Sequence, residues 1–227
     1  MVMKNKSSNI IAFHYETYSE DSNLEKQIKN VLSSILEQFG CGILVMPIFT
    51  CLSEMLGNAI RANFKNIYFE NYTPKNNAMD LIPYNVALQL FKMEFAANTG
   101  TFHSIARERS IKASIIMSIE KNILNIEVTN PMPLSDIEKN NINRKIEDSR
   151  KINNLNQYFR EIADDPKREG AGLGIIFITM MLRSLGLPDD SLKIEIKNGK
   201  TVAEIAVPLT KTTVENYNRN LKEKNDF

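Results

Sequence analysis

Two hydrophobic periods alternate along the chain. From Leu24, apolar residues at Ile28, Val31, Leu32, Ile35, Leu36 and Phe39 recur every three or four positions, the pattern of a helix with one buried face. Polar residues Glu20 to Asn23 precede it, and Gly40 follows, suited to a left-handed cap. A second helix is expected from about Pro47 to about Asn66. Pro47 falls in its first turn, where a missing N–H costs nothing, and Ile48, Leu52, Met55, Ala59 and Ala62 form its apolar stripe. After a loop over Tyr72 to Asp80, Leu81 to Ala97 reads as a third helix broken by Gly100, while Thr101 to Ser110 shows no clear period.

The period then changes to two. Ile111 to Ile119 and Ile123 to Thr129 alternate about the turn Lys121-Asn122, and Leu192 to Ile196 and Val202 to Val207 alternate about Asn198-Gly199. Both patterns predict β-hairpins. Asn9 to Tyr18 reads as an earlier strand. Gly174 to Leu185 is an apolar helix that Gly186 and Pro188 stop. The remaining segments are polar. Residues 1–8 are expected to be flexible, Pro131 to Glu169 lacks a continuous apolar stripe, and Thr210 to Phe227 reads as a frayed helix or charged tail.

Composition narrows the picture little. The 227 residues, 43% of them hydrophobic, suit one large domain with its own core. A net charge of +1 excludes the basic excess of a dedicated nucleic-acid binder. Cys41 and Cys51 have neither zinc nor redox spacing and read as buried thiols of a reducing compartment. No signal-like or membrane-length apolar run is expected, so the reading is of a soluble cytoplasmic protein without membrane contact.

Two stretches carry chemistry. On the Pro47 helix, Glu54, Asn58, Arg61 and Lys65 are spaced four, three and four apart and line up on one side. A glutamate there can orient or deprotonate a water, and the asparagine one turn on can offer its carbonyl oxygen to Mg²⁺. The surrounding apolar sequence predicts that this stripe is well buried and needs partners. Far downstream, Gly170-Ala171-Gly172-Leu173-Gly174 opens a helix. Glycines let backbone approach a ligand, and a helix N-terminus offers N–H groups to phosphate. Lys167 and Arg168 stand just before it and can add charge. Such a loop also occurs as a plain strand-to-helix connection, and a charged helix stripe as a solvated face. His14 and His103 read as structural.

Together, Glu54, Asn58 and Ala59 with the G-x-G-L-G run at Gly170 to Gly174 resemble the superfamily of gyrase, heat-shock chaperone, histidine kinase and mismatch-repair ATPases. The resemblance implies a two-layer α/β sandwich of the Bergerat type, with a mixed, mostly antiparallel sheet and an added helical layer. It covers roughly residues 9–209, with a helical insert at about 71–110, a mobile lid at about 131–169 and a tail at 210–227. It implies ATP and Mg²⁺, with Glu54 catalytic and Asn58 on the metal. Arg61, Asn130, Lys167, Arg168, Gly170, Gly172, Leu173 and Gly174 would bind the nucleotide.

The family's middle motif, D-x-G-x-G, is replaced by Asn130-Pro131-Met132-Pro133. Asn130 can accept from the adenine amino group without a charge, and as an amide it can also donate, which predicts tolerance of a purine carbonyl. The resemblance implies a signalling ATPase or a kinase acting on a partner protein, because neither histidine is placed as a phosphoacceptor. The other reading is a non-catalytic module that senses nucleotide and signals through its added helices.

Overall fold

The computed structural model describes residues 2–5, 10–72, 83–152 and 173–225. The strands are β1 (Val2–Asn5), β2 (Ile10–Thr17), β3 (Ala113–Glu120), β4 (Ile123–Asn130), β5 (Leu192–Lys197) and β6 (Lys200–Pro208). The helices are α1 (Ser22–Gln38), α2 (Val45–Tyr72), α3 (Tyr84–Glu108), α4 (Asp136–Arg150), α5 (Leu173–Ser184) and α6 (Lys211–Asn225), with a single 3₁₀ turn at Gly42–Leu44 before α2. The strands form one sheet in the order β1-β2-β3-β4-β6-β5.

Every strand pairing among the described residues is antiparallel, which corrects the expectation of a mixed sheet. The topology gives the reason. α1, α2 and α3 all intervene between β2 and β3, yet the chain returns beside β2 in the opposite sense, and the rest of the sheet grows from two hairpins. Both hairpin turns match the sequence reading. Lys121 and Asn122 have φ of 49° and 62°, and Asn198 and Gly199 have 51° and 73°. These left-handed pairs fit the twist of the strands they join.

Strand register lays apolar side chains in rows across one face. Phe13, Met117, Ile126, Ile205 and Leu192 form one row, and Tyr15, Ile115, Val128, Ala203 and Ile194 the next. The helices cover that face. The opposite face presents His14, Ser114, Ser118, Asn125, Glu127 and Lys193, so the molecule is a two-layer α/β sandwich.

α2 is the central helix. Ile48, Leu52, Ile60, Phe64 and Ile67 are all almost fully buried. By length and composition Gly42–Glu70, whose most apolar 18-residue window has mean hydropathy 1.6, is long and apolar enough to cross a membrane, contrary to the expectation from sequence. Here 56% of its most apolar window is buried inside the protein, against the sheet on one side and α3 on the other.

α3 is the added helical layer. It consists of two helical runs joined at a kink at Asn98, with φ −133° and ψ 35°, so the break expected at Gly100 falls just before it. Phe91 on one side of the kink and Phe102 and Ala106 on the other are buried, which keeps both runs packed in one layer. Phe64 of α2 sits among Phe95, Phe102 and His103 at ring-centroid distances of 5.6, 6.0 and 5.2 Å. This contact gives His103 the packing role read from the sequence.

Three polar segments are more ordered than expected. In the 1–8 stretch, Val2–Asn5 pairs with β2, a run too short to display an alternation. The 210–227 tail contains α6, where Thr213 is buried and Asn220 donates to Ser184 O at 2.9 Å. The first half of the expected lid is α4. Ser135 and Glu138 form a complete capping box at its start, and Ile142 and Ile146, four apart, pack on the core. Residues 153–169 of that lid lie outside the described residues.

Two clasps hold α4. Glu138 uses Oε2 for the Ser135 N–H at 2.9 Å and Oε1 for the Lys65 ammonium on α2. At the far end, Arg183 of α5 donates to Ser149 O and Ile152 O while pairing with Asp189 at 2.8 Å. Lys65 and Glu138 side chains are only 12% and 20% exposed, so removing the carboxylate strands a partly buried cation. Glu138→Ala is expected to lower stability in urea denaturation by about 2–3 kcal/mol, the cap contributing about 1 of it. Glu138→Gln keeps the cap acceptor and is expected to lose about half as much. Equal stability of all three proteins would show that neither bond of Glu138 matters.

Candidate functional site

A cleft of about 680 Å³ opens between α2, α3, α4 and the sheet. Its sheet side is made by Val128, Asn130, Leu192, Ile194, Thr201 and Ala203. α2 contributes Met55, Asn58, Arg61 and Lys65, α3 an aromatic wall with Phe91 and Phe95, and α5 its first residue, Leu173. The size is that of an ordinary small-molecule site.

The polar stripe of α2 forms the rim. Arg61 Nη2 donates to Asn58 Oδ1 at 2.9 Å, lies 4.0 Å from Glu54 Oε2, and through Nη1 stands 3.5 Å from Glu20 of the segment before α1. Asn58 is exposed and the Glu54 side chain is 41% exposed, so this part of the stripe is not buried as expected, while Lys65 at its end largely is. The apolar residues around it point the other way, into the core, and leave this one side to solvent. Gly57 gives the guanidinium room, since a Cβ there would lie 3.0 Å from Arg61 Nη1.

Gly174 joins the two motifs. A Cβ at this position would sit 2.5 Å from Glu54 Oε2 and 3.3 Å from Asn58 Nδ2. The start of α5 is therefore packed on the Glu54–Asn58 turn of α2, and the glycine leaves the Glu54 carboxylate its place there. Leu173 and Gly174 are thus brought to Glu54, Asn58 and Arg61. Lys167, Arg168, Gly170 and Gly172 lie outside the described residues.

Asn130 ends β4 at the base of the cleft and is 5% exposed. Its Nδ2 donates to Met132 O at 3.4 Å and to Asn63 Oδ1 at 3.5 Å. Met132 O is itself fixed, accepting from Thr201 N at 3.2 Å and Thr201 Oγ1 at 2.6 Å. Pro131 and Pro133 flank that carbonyl and stiffen the turn. A reversed Asn130 amide would set oxygen against the Met132 carbonyl oxygen, so the side chain keeps its nitrogen inward. Its oxygen accepts no hydrogen bond among the described residues and remains the atom for a ligand's donor. The two-way hydrogen bonding expected of an amide is thereby reduced to one.

Lys65, at the α4 side, feels two opposed effects. Burial pushes its ammonium down to about 8, while the adjacent Glu138 carboxylate favours the charged form. Asn63, Glu138 and Thr201 were not read from the sequence as site residues, and Lys65 was read only as a member of the polar stripe. The capping box Ser135-x-x-Glu138 was the one local signal that could have placed Glu138 at the head of a helix. Among the described residues no cluster of His, Cys, Asp or Glu could hold a metal unaided, so a cation at Asn58 would need ligand oxygens to complete its shell.

The fold and cleft define an α/β sandwich with a ligand-sized site between its layers. No family model matches the chain, and no solved structure matches it. It is similar to an uncharacterized protein of Treponema pallidum (strain Nichols), with 26% identity over 195 residues. The match covers 85% of this chain and 37% of that relative, so the chain spans little more than a third of the relative's length.

Gly174→Ala tests the junction of the motifs. Alanine favours the helix by about 1 kcal/mol, and the flexible Glu54 carboxylate can swing aside. Stability is expected to change by less than about 1 kcal/mol, with Glu54 displaced. In a Glu54→Ala background, which has no carboxylate to move, the same change is expected to raise the melting temperature. A large loss in both backgrounds would place Gly174 against something other than Glu54.

Proposed function

We propose that the cleft binds ATP with Mg²⁺ and that the chain is a histidine-kinase-like ATPase domain, acting in the cytoplasm as a signalling ATPase or as a kinase on a partner protein. The contact between Gly174 and the Glu54–Asn58 turn carries the reading, because it joins two motifs far apart in sequence where that chemistry requires them to meet. In this reading the amino end of α5 and the glycine loop before it, with Gly170, Gly172 and Leu173, receive the phosphates. Lys167, Arg168 and Arg61 add positive charge. Asn58 Oδ1 leaves Arg61 for Mg²⁺, which the phosphates also ligate. Glu54 orients or deprotonates the attacking water or hydroxyl. Asn130 accepts from the adenine amino group at the sheet side.

A second reading is a nucleotide sensor without catalysis. Two observations favour it: Arg61 engages both Asn58 and Glu54, and the base-reading residue carries no charge. Phosphate release separates the two. An ATPase is expected to lose turnover in Glu54→Gln with Mg-ATP affinity retained, whereas a sensor releases no phosphate in either protein.

Calorimetry tests the binding. Asn58→Ala is expected to weaken Mg-ATP about tenfold, equivalent to about 1.4 kcal/mol, with little effect on ATP in the absence of Mg²⁺. Equal losses with and without the metal would make Asn58 structural. The fixed amide of Asn130 predicts that ATP binds about tenfold more tightly than ITP, in which a carbonyl oxygen would face the Asn130 oxygen. Equal affinities would remove Asn130 from base recognition.

A further inference from the structure

The side of the cleft farther along α4 has a charge arrangement that the nucleotide reading does not use. Lys145 of α4 lines the cleft and is half buried. Burial lowers its pKa, and Arg144 and Lys92 lower it further by repulsion. Lys92 comes from α3 and Arg144 from α4, and both also line the cleft. No carboxylate among the described residues pairs with Lys145. Of the nearby acids, Glu138 is committed to Lys65, while Asp148, which also lines the cleft, lies 3.6 Å from the exposed Lys151. Arg144 reaches only a neutral group, Asn141 Oδ1, at 3.4 Å. Beside these cations the wall is apolar, formed by Leu88, Phe91 and Phe95 of α3 and Ile142 of α4.

A half-buried cation with like-charged neighbours is costly for a fold to keep, and an anion at that place would remove the cost. We infer that the α3–α4 side of the cleft is a binding site for an aromatic or otherwise lipophilic anion, whose apolar body lies on Phe91 and Phe95 and whose carboxylate, sulfonate or phosphate meets Lys145, Lys92 and Arg144. α3, the added layer, supplies both the aromatic wall and one of the cations. The site stands independently of nucleotide binding at Asn58 and Asn130.

Two fluorescent probes of similar shape test it, the anion anilinonaphthalene sulfonate and the neutral N-phenylnaphthylamine. Both are titrated into the full chain without nucleotide. The anion is expected to bind the wild type more tightly than the neutral probe. Lys145→Gln is expected to weaken the anion about tenfold and leave the neutral probe unchanged, with smaller losses for Lys92→Gln and Arg144→Gln. Phe95→Ala is expected to weaken both probes. Lys145→Gln is also expected to raise the melting temperature, because it removes the repulsion. If Lys145→Gln leaves the anion's affinity unchanged, or weakens both probes equally, the site is not anionic. If it lowers the melting temperature, Lys145 has a structural counter-ion, and the inference is overturned.

Discussion

The cleft depends on how α2 divides its surface. Its apolar residues bury against the sheet and α3, and the turn carrying Glu54, Asn58 and Arg61 is left as the one polar side. The helix cannot rotate without lifting Leu52, Ile60 and Phe64 out of the core, an expense of a few kcal/mol for each large side chain. The rim groups are thus fixed by packing that lies behind them. The other walls are then set by what each element attaches to α2: α5 through Gly174, α4 through Glu138, and α3 through the rings around Phe64.

Cleft and rim also differ in the way they are held. The rim is a set of exposed or half-exposed polar contacts, Arg61 reaching three partners at 2.9 to 4.0 Å. Such contacts contribute little stability and rearrange easily. The base of the cleft is fixed backbone and buried amide, with the Met132 carbonyl tied to Thr201. A ligand would meet an adaptable mouth and a rigid floor, a division suited to selecting one end of a molecule while adjusting to the charge at the other.

Much of the fold was legible because it rests on local period and turn chemistry. Lys121-Asn122 and Asn198-Gly199 announced their hairpins, and Gly40 and Gly186, with φ of 67° and 76°, ended their helices where expected. The errors share a cause. The looseness expected over 131–169 and in the tail was judged from local composition alone, and packing on the core orders α4 and α6. In the site, Glu54 and Asn58 could be put on one face from their helical spacing, and Gly174 could be paired with them through the resemblance to a known pair of motifs. Asn63, Thr201 and the Met132 carbonyl could not, because they act through neighbours that only the register of β4 on β6 brings together.

Glu138 has a consequence beyond its two bonds. One of its oxygens closes the first turn of α4 and the other reaches Lys65, so a single side chain links the helix's own start to its docking on α2. Local melting of α4 would release both bonds at once and leave Lys65 without its counter-ion. The helix and that wall of the cleft therefore form one cooperative unit, and the energy needed to open the cleft along this side is close to the energy needed to unravel the helix.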